Sequence, residues 1–138
     1  MKRNLVLAFW IFGILFPMGW FIRVSPLGYR LFNDLFSPQW MHIFMHSLLF
    51  GVLGALLMFN FYGRMAVLNA VMVVLALVLG VAVAQEGIQL ISERLPVHGD
   101  NFFDIGVDMS GGIVGAALAL CVRKLFDRRA RLSSPALE

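Results

Sequence analysis

The chain has 138 residues, of which 60% are hydrophobic and only 14% charged, with a net charge of +3 and a mean hydropathy of +0.84. A soluble domain normally carries about 25% charged residues, and a chain this small buries at most about 60–70% of its surface, so composition excludes an ordinary water-soluble globule and points to lipid as the solvent. Nucleic acid is excluded as a partner, because five of the eleven basic residues crowd between Arg123 and Arg131 instead of lining a groove.

Crossing the hydrocarbon takes about 20 apolar residues in helical form, and four segments supply them. The first runs over 4–22 behind the basic pair Lys2 and Arg3. No small-residue cleavage site follows it, since the next residues are Arg23-Val24-Ser25-Pro26, so it reads as a retained span. Between Pro26 and Pro38, the residues Leu27, Leu31, Phe32, Leu35 and Phe36 share one helical face, whereas Arg30, Asn33 and Asp34 lie elsewhere. A short helix lying in the interface is expected there, stopped by proline at both ends and flanked by Trp20 and Trp40 at headgroup level. The second span covers 40–59, and a tight Asn60-Phe61-Tyr62-Gly63-Arg64 connection leads to the third, 65–91. That third segment is longer than the bilayer requires, so it tilts or projects. The fourth covers 103–125, and a disordered tail is expected over 132–138.

Connections this short make neighbouring spans antiparallel. With the N-terminus inside, the cytoplasmic side holds Lys2, Arg3, Arg64, Arg123, Lys124, Arg128, Arg129 and Arg131, against Arg23, Arg30 and Arg94 outside. The bias puts both termini in the cytoplasm, with the Arg-rich cluster touching anionic lipid. The expected fold is all-α: an integral membrane four-helix bundle, one transmembrane domain over 1–131, with the interfacial helix in its first external loop. The lone Cys121 permits no intrachain disulfide.

Three polar pairs interrupt the apolar spans. His42 and His46 open the second, Glu86 and Gln89 lie near the outer end of the third, and Asp104 and Asp108 begin the fourth. Spacings of three and four put each pair on one helix face, and the topology brings all six to the outer half. Each has a plainer role available. Asp104 sits in a first turn, where the helix dipole favours a carboxylate and where Asp100 or Asn101 supplies the cap. The histidines serve equally as interfacial residues or as hydrogen-bond partners between helices. Asp108 lies a turn deeper and Glu86 stands near a helix C-terminus, where the dipole gives no help; ionisable groups inside spans are costly and mark function.

The i, i+4 spacing of His42 and His46 is that of a metal site. No His-Glu-x-x-His motif accompanies it and no fourth strong ligand is specified, so neither a metal nor any other cofactor is expected, and these two histidines are the only weak candidates. Two histidines on one helix face also cannot clasp a haem from both sides. Gly51, Gly54 and Ala55 on the second span, and Gly111, Gly115 and Ala119 on the fourth, have the small-x-x-x-small spacing that lets helices approach closely.

These elements together resemble the VanZ-like family of small bacterial membrane proteins. Its pattern has Glu-x-x-Gln ending one helix, which Glu86-Gly87-Ile88-Gln89 matches, then a Pro-x-Arg turn leading to Asp, Asn and two glycines. Counted from Pro96, those positions hold Asp104, Asp108, Gly111 and Gly115. On the second span, His46, Phe50, Leu53 and Gly54 occupy the last four places of the family's Asp-x-x-x-His-x-x-x-Phe-x-x-Leu-Gly. His42 replaces the family's Asp, His98 its Arg and Asp108 its Asn, and the stretch from Gln89 to Pro96 is longer. These departures change the charge inside the site. The resemblance covers His42 to Ala119 and implies a multi-pass protein of the bacterial cytoplasmic membrane.

Two functional classes follow. The first is a non-enzymatic envelope component, an accessory subunit or a binder of lipid headgroup or cell-wall precursor, whose partners are membrane lipids and other membrane subunits or further copies of itself. The second is an outer-leaflet hydrolase or transferase with Glu86 as general base, although Ser47 and Ser110 point away from the polar face and leave no nucleophile. Ion transport is disfavoured, because no polar residues continue the path through the inner half of the spans.

Overall fold

The computed structural model describes residues 2–16, 25, 27–28, 30, 34, 38–93 and 96–133. Every named element among them is an α-helix: α1 (Lys2–Leu15), α2 (Gln39–Phe61), α3 (Val67–Glu93) and α4 (Gly99–Ser133). Three stretches are long and apolar enough to cross a membrane, namely Gln39–Phe61, Val67–Ser92 and Gly99–Ala130. The chain is therefore an all-α membrane protein.

α1 is apolar but shorter than the first span expected from the sequence. Its 14 residues reach about 21 Å, less than a hydrocarbon layer of about 30 Å. Pro17 disfavours helical backbone in the residue before it, and Phe16 is already a bend. The remainder of that expected span lies outside the described residues. So do most of the expected interfacial helix between Pro26 and Pro38, its flanking Trp20, the basic residues Arg23 and Arg94, and residues 134–138.

The other boundaries have local causes. α2 opens behind Pro38, whose extended backbone (φ −65°, ψ 127°) leaves its carbonyl to accept from the Met41 and His42 amides at 2.9 and 3.2 Å. It ends in a turn where Gly63 takes φ +80°, a left-handed conformation that side chains disfavour. α4 starts at Gly99, ahead of the apolar run, and its 35 residues extend about 52 Å. Lysine and arginine are good helix formers, so the Arg-rich segment and residues 132–133 continue the helix.

α2 and α4 run parallel and make the most extensive contact, with α3 packed against both and α1 against α2 and α3. The core between them holds Phe50, Leu53, Leu57, Val74, Val78 and Ala82. The α2–α4 seam is backbone on backbone. A Cβ added at Gly54 would overlap the Gly112 carbonyl, one at Gly115 the Gly51 carbonyl, and one at Gly111 the backbone of Ser47. Gly112 turns toward α3, where a Cβ would stand 2.6 Å from Val78 Cγ1. Ala119 is buried in the same core.

The two ends of the molecule differ in chemistry. At one, Arg3 donates to the Phe59 and Asn60 carbonyls at 3.3 and 3.4 Å, and the Arg123 guanidinium lies 5.2 Å from the centre of the Phe59 ring. There too the Tyr62 hydroxyl donates to Asp127 at 2.7 Å. At the opposite end, α2 and α4 begin and α3 finishes. Between the two ends, Trp10 Nε1 ties α1 to the Leu49 carbonyl at 3.0 Å.

Overpacking a tight contact costs about 1–3 kcal/mol. Gly115→Ala is accordingly expected to lower unfolding stability in detergent by about that much. Gly80→Ala and Gly87→Ala, where nothing lies within 4 Å of the added carbon, leave stability unchanged or slightly raised.

Candidate functional site

The parallel start of α2 and α4 sets two histidines against two aspartates, each pair one helical turn apart. In the inner rung, His46 Nδ1 lies 2.8 Å from Asp108 Oδ1, so an Nδ1–H donates to the carboxylate. His46 is 8% exposed and Asp108 fully buried. In the outer rung, His42 Nε2 stands 3.3 Å from Asp104 Oδ2, with the imidazole 40% exposed. The two imidazoles stack between the rungs, their centres 4.2 Å apart and their planes inclined by 36°.

α3 contributes the third wall. Glu86 is 3% exposed, and its Oε2 accepts a hydrogen bond of 2.9 Å from Asn101 Nδ2. Asn101 is held in turn by the His98 amide, which donates to its Oδ1 at 2.8 Å. One oxygen of each buried acid is left over: Glu86 Oε1 and Asp108 Oδ2 are buried without a hydrogen-bond partner. His46, Glu86 and Asp108 each offer a ligand atom, and these atoms all lie within 4.8 Å of one another. At a rise of about 1.5 Å per residue, His46 and Glu86 lie about 10 Å inside the ends of their helices and Asp108 about 13 Å.

Of the six residues singled out in the sequence, the structure joins five. His42, His46, Asp104 and Asp108 form the two rungs, and Glu86 faces the inner one. Gln89, half-buried, makes no side-chain hydrogen bond to them among the described residues. The donor set that converges is not the histidine pair singled out by its spacing, because His42 is engaged with Asp104. Ser110 Oγ donates to the Gly106 carbonyl at 2.8 Å. With Ser47 it lines an apolar groove of about 490 Å³ bounded by Gly51, Ala55, Gly115 and Leu118, so neither hydroxyl joins the polar cluster.

Asn101, one of the two caps the sequence offered for α4, does accept from the His98 amide at the start of that helix, but it has a second role that the sequence did not suggest. Its bond to Glu86 crosses between two helices, and the only signal for it was an amide a few residues ahead of Asp104. Gly112 was passed over for a similar reason: it falls outside the four-residue stripe of Gly111 and Gly115, although it makes its own close approach.

The arrangement is acidic, with three carboxylates against two imidazoles, and among the described residues no lysine or arginine pairs with those carboxylates. Such a site accepts hydrogen bonds and cations more readily than it accepts phosphate. No family model, curated protein or solved structure matches the chain.

The inner and outer rungs differ in burial, which separates their energetics. A double-mutant cycle replacing His46 and Asp108 by leucine is expected to show coupling of about 1–2 kcal/mol. The same cycle on His42 and Asp104 is expected to give about 0.2–1 kcal/mol, because that pair is partly solvated.

Proposed function

We propose that this chain is a VanZ-like protein of the bacterial cytoplasmic membrane that binds the polar headgroup of a lipid or lipid-linked envelope molecule at its His/Asp end. The observation that carries the reading is the convergence of five ionisable side chains from three helices within an apolar protein. Polar groups at that depth are expensive and mark function, and these are graded from an open outer rung to a closed inner one. The acceptor-rich carboxylates suit a headgroup rich in donors, such as sugar hydroxyls or an ammonium.

The excess of basic residues at the Arg3–Arg123 end supports an orientation with that end in the cytoplasm and the His/Asp end outside. A fluorescent protein fused to the C-terminus is then expected to fold and fluoresce, while an alkaline phosphatase fused there stays inactive. The reverse pattern overturns the orientation.

Headgroup binding is tested by native mass spectrometry on protein released from nanodiscs made with host lipids. The wild type is expected to carry a lipid adduct that a His42→Gln, Asp104→Asn variant loses. Equal adducts on both proteins rule out the outer rung as the binding element. A co-purifying protein chain that the variant also loses makes the rung a subunit contact instead.

The inner rung favours one second reading. His46 bonded to Asp108, with Glu86 opposite, has the parts of an acid–base apparatus, and an outer-leaflet hydrolase or transferase would use them on a lipid-linked substrate. If Glu86→Gln leaves the protein's cellular effect intact, that reading is eliminated.

A further inference from the structure

We infer that His46, Glu86 and Asp108 form a binding site for a divalent transition-metal ion of the zinc or manganese type. The three side chains come from three different helices, and each is more than nine-tenths buried. Their ligand atoms already lie within 4.8 Å of one another. A tetrahedral ion with bonds of about 2.0–2.1 Å holds its ligand atoms about 3.3 Å apart, so closing the site takes side-chain shifts of about 1–1.5 Å.

Two further observations point to a ligand. Glu86 Oε1 and Asp108 Oδ2 are buried with no hydrogen-bond partner, in a protein where each has a partner on its other oxygen. Buried polar atoms are nearly always paired, and a cation between the two orphans pairs both. The charges also balance, because a neutral imidazole and two carboxylates carry two negative charges, which one divalent ion cancels. Imidazole and carboxylate are the donors that zinc, iron and manganese share.

The surroundings resemble the outer layer of a metal centre. Asn101 fixes Glu86 through its second oxygen, as residues behind a metal ligand do. Three protein ligands leave a coordination position open, and the His42 ring, stacked on His46, is the more exposed of the two. This metal takes the same pocket as the headgroup reading, yet its test uses metal alone and stands apart from lipid capture.

The experiment is metal titration of the full chain in detergent, stripped with chelator and then dialysed against Zn²⁺ or Mn²⁺, with bound metal counted by elemental analysis. One equivalent per chain is expected, together with a rise in the unfolding temperature. Glu86→Gln and Asp108→Asn, checked for folding by circular dichroism and gel filtration, are expected to lose both effects. Asn101→Ala is expected to weaken binding by about 10- to 100-fold, whereas His42→Gln keeps the stoichiometry. A folded wild type that takes up neither metal overturns the proposal. Binding that survives Glu86→Gln and Asp108→Asn overturns it as well, since the ion then sits elsewhere. Should the lipid adduct vanish from the His42→Gln, Asp104→Asn variant while zinc stoichiometry holds, the two readings are separated.

Discussion

The architecture depends on how closely α2 approaches α4. Because Gly51, Gly54, Gly111 and Gly115 offer no side chains, the two backbones touch, and van der Waals contact between them replaces the hydrophobic drive that lipid removes. The seam also sets rotational phase. Turning α4 by one residue would bring Ile113 or Val114, now about half exposed, against α2, where the glycines leave no room. Only one phase puts Asp104 opposite His42 and Asp108 opposite His46, a constant offset that follows from parallel helices in fixed register. The polar rungs are thus a product of glycine packing a turn or two away.

Buried charge imposes the second constraint. Water is scarce at this depth, so each polar atom must find a protein partner or a ligand. The cluster meets that demand for one oxygen of Glu86 and one of Asp108 and leaves the other two open. The stack of His42 on His46 and the chain from the His98 amide through Asn101 to Glu86 hold the open oxygens in place. Rigid support around unsatisfied acceptors is what the headgroup and metal proposals both require.

The sequence made the all-helical, membrane-spanning character legible, because long apolar runs admit no other backbone in lipid. It also exposed most of the polar set, since an aspartate or glutamate inside such a run is conspicuous. Helix ends were less legible. Pro17 stops α1 early, an effect outweighed by the apolar run around it when hydropathy alone is read, and the Arg-rich segment continues α4 because helix propensity does not require apolar residues. Pairings between helices were out of reach: spacing puts His42 and His46 on one face without saying that each meets an aspartate. Gln89 shares a face pattern with Glu86 but not its neighbours, and Asn101 carries no periodic signal.

The length of α4 acts as a ruler. Arg123 follows Asp108 by 15 residues, a rise of about 22 Å, and His46 stands about 21 Å from Asn60 along α2 by the same measure. With Arg123 at one boundary of a hydrocarbon layer about 30 Å thick, the inner rung lies about 8 Å short of the opposite boundary. The cluster is therefore sunk beneath the headgroups. Either the bilayer dimples over this end, as a short hydrophobic match demands, or whatever reaches Glu86 and Asp108 must dive below the surface to do so.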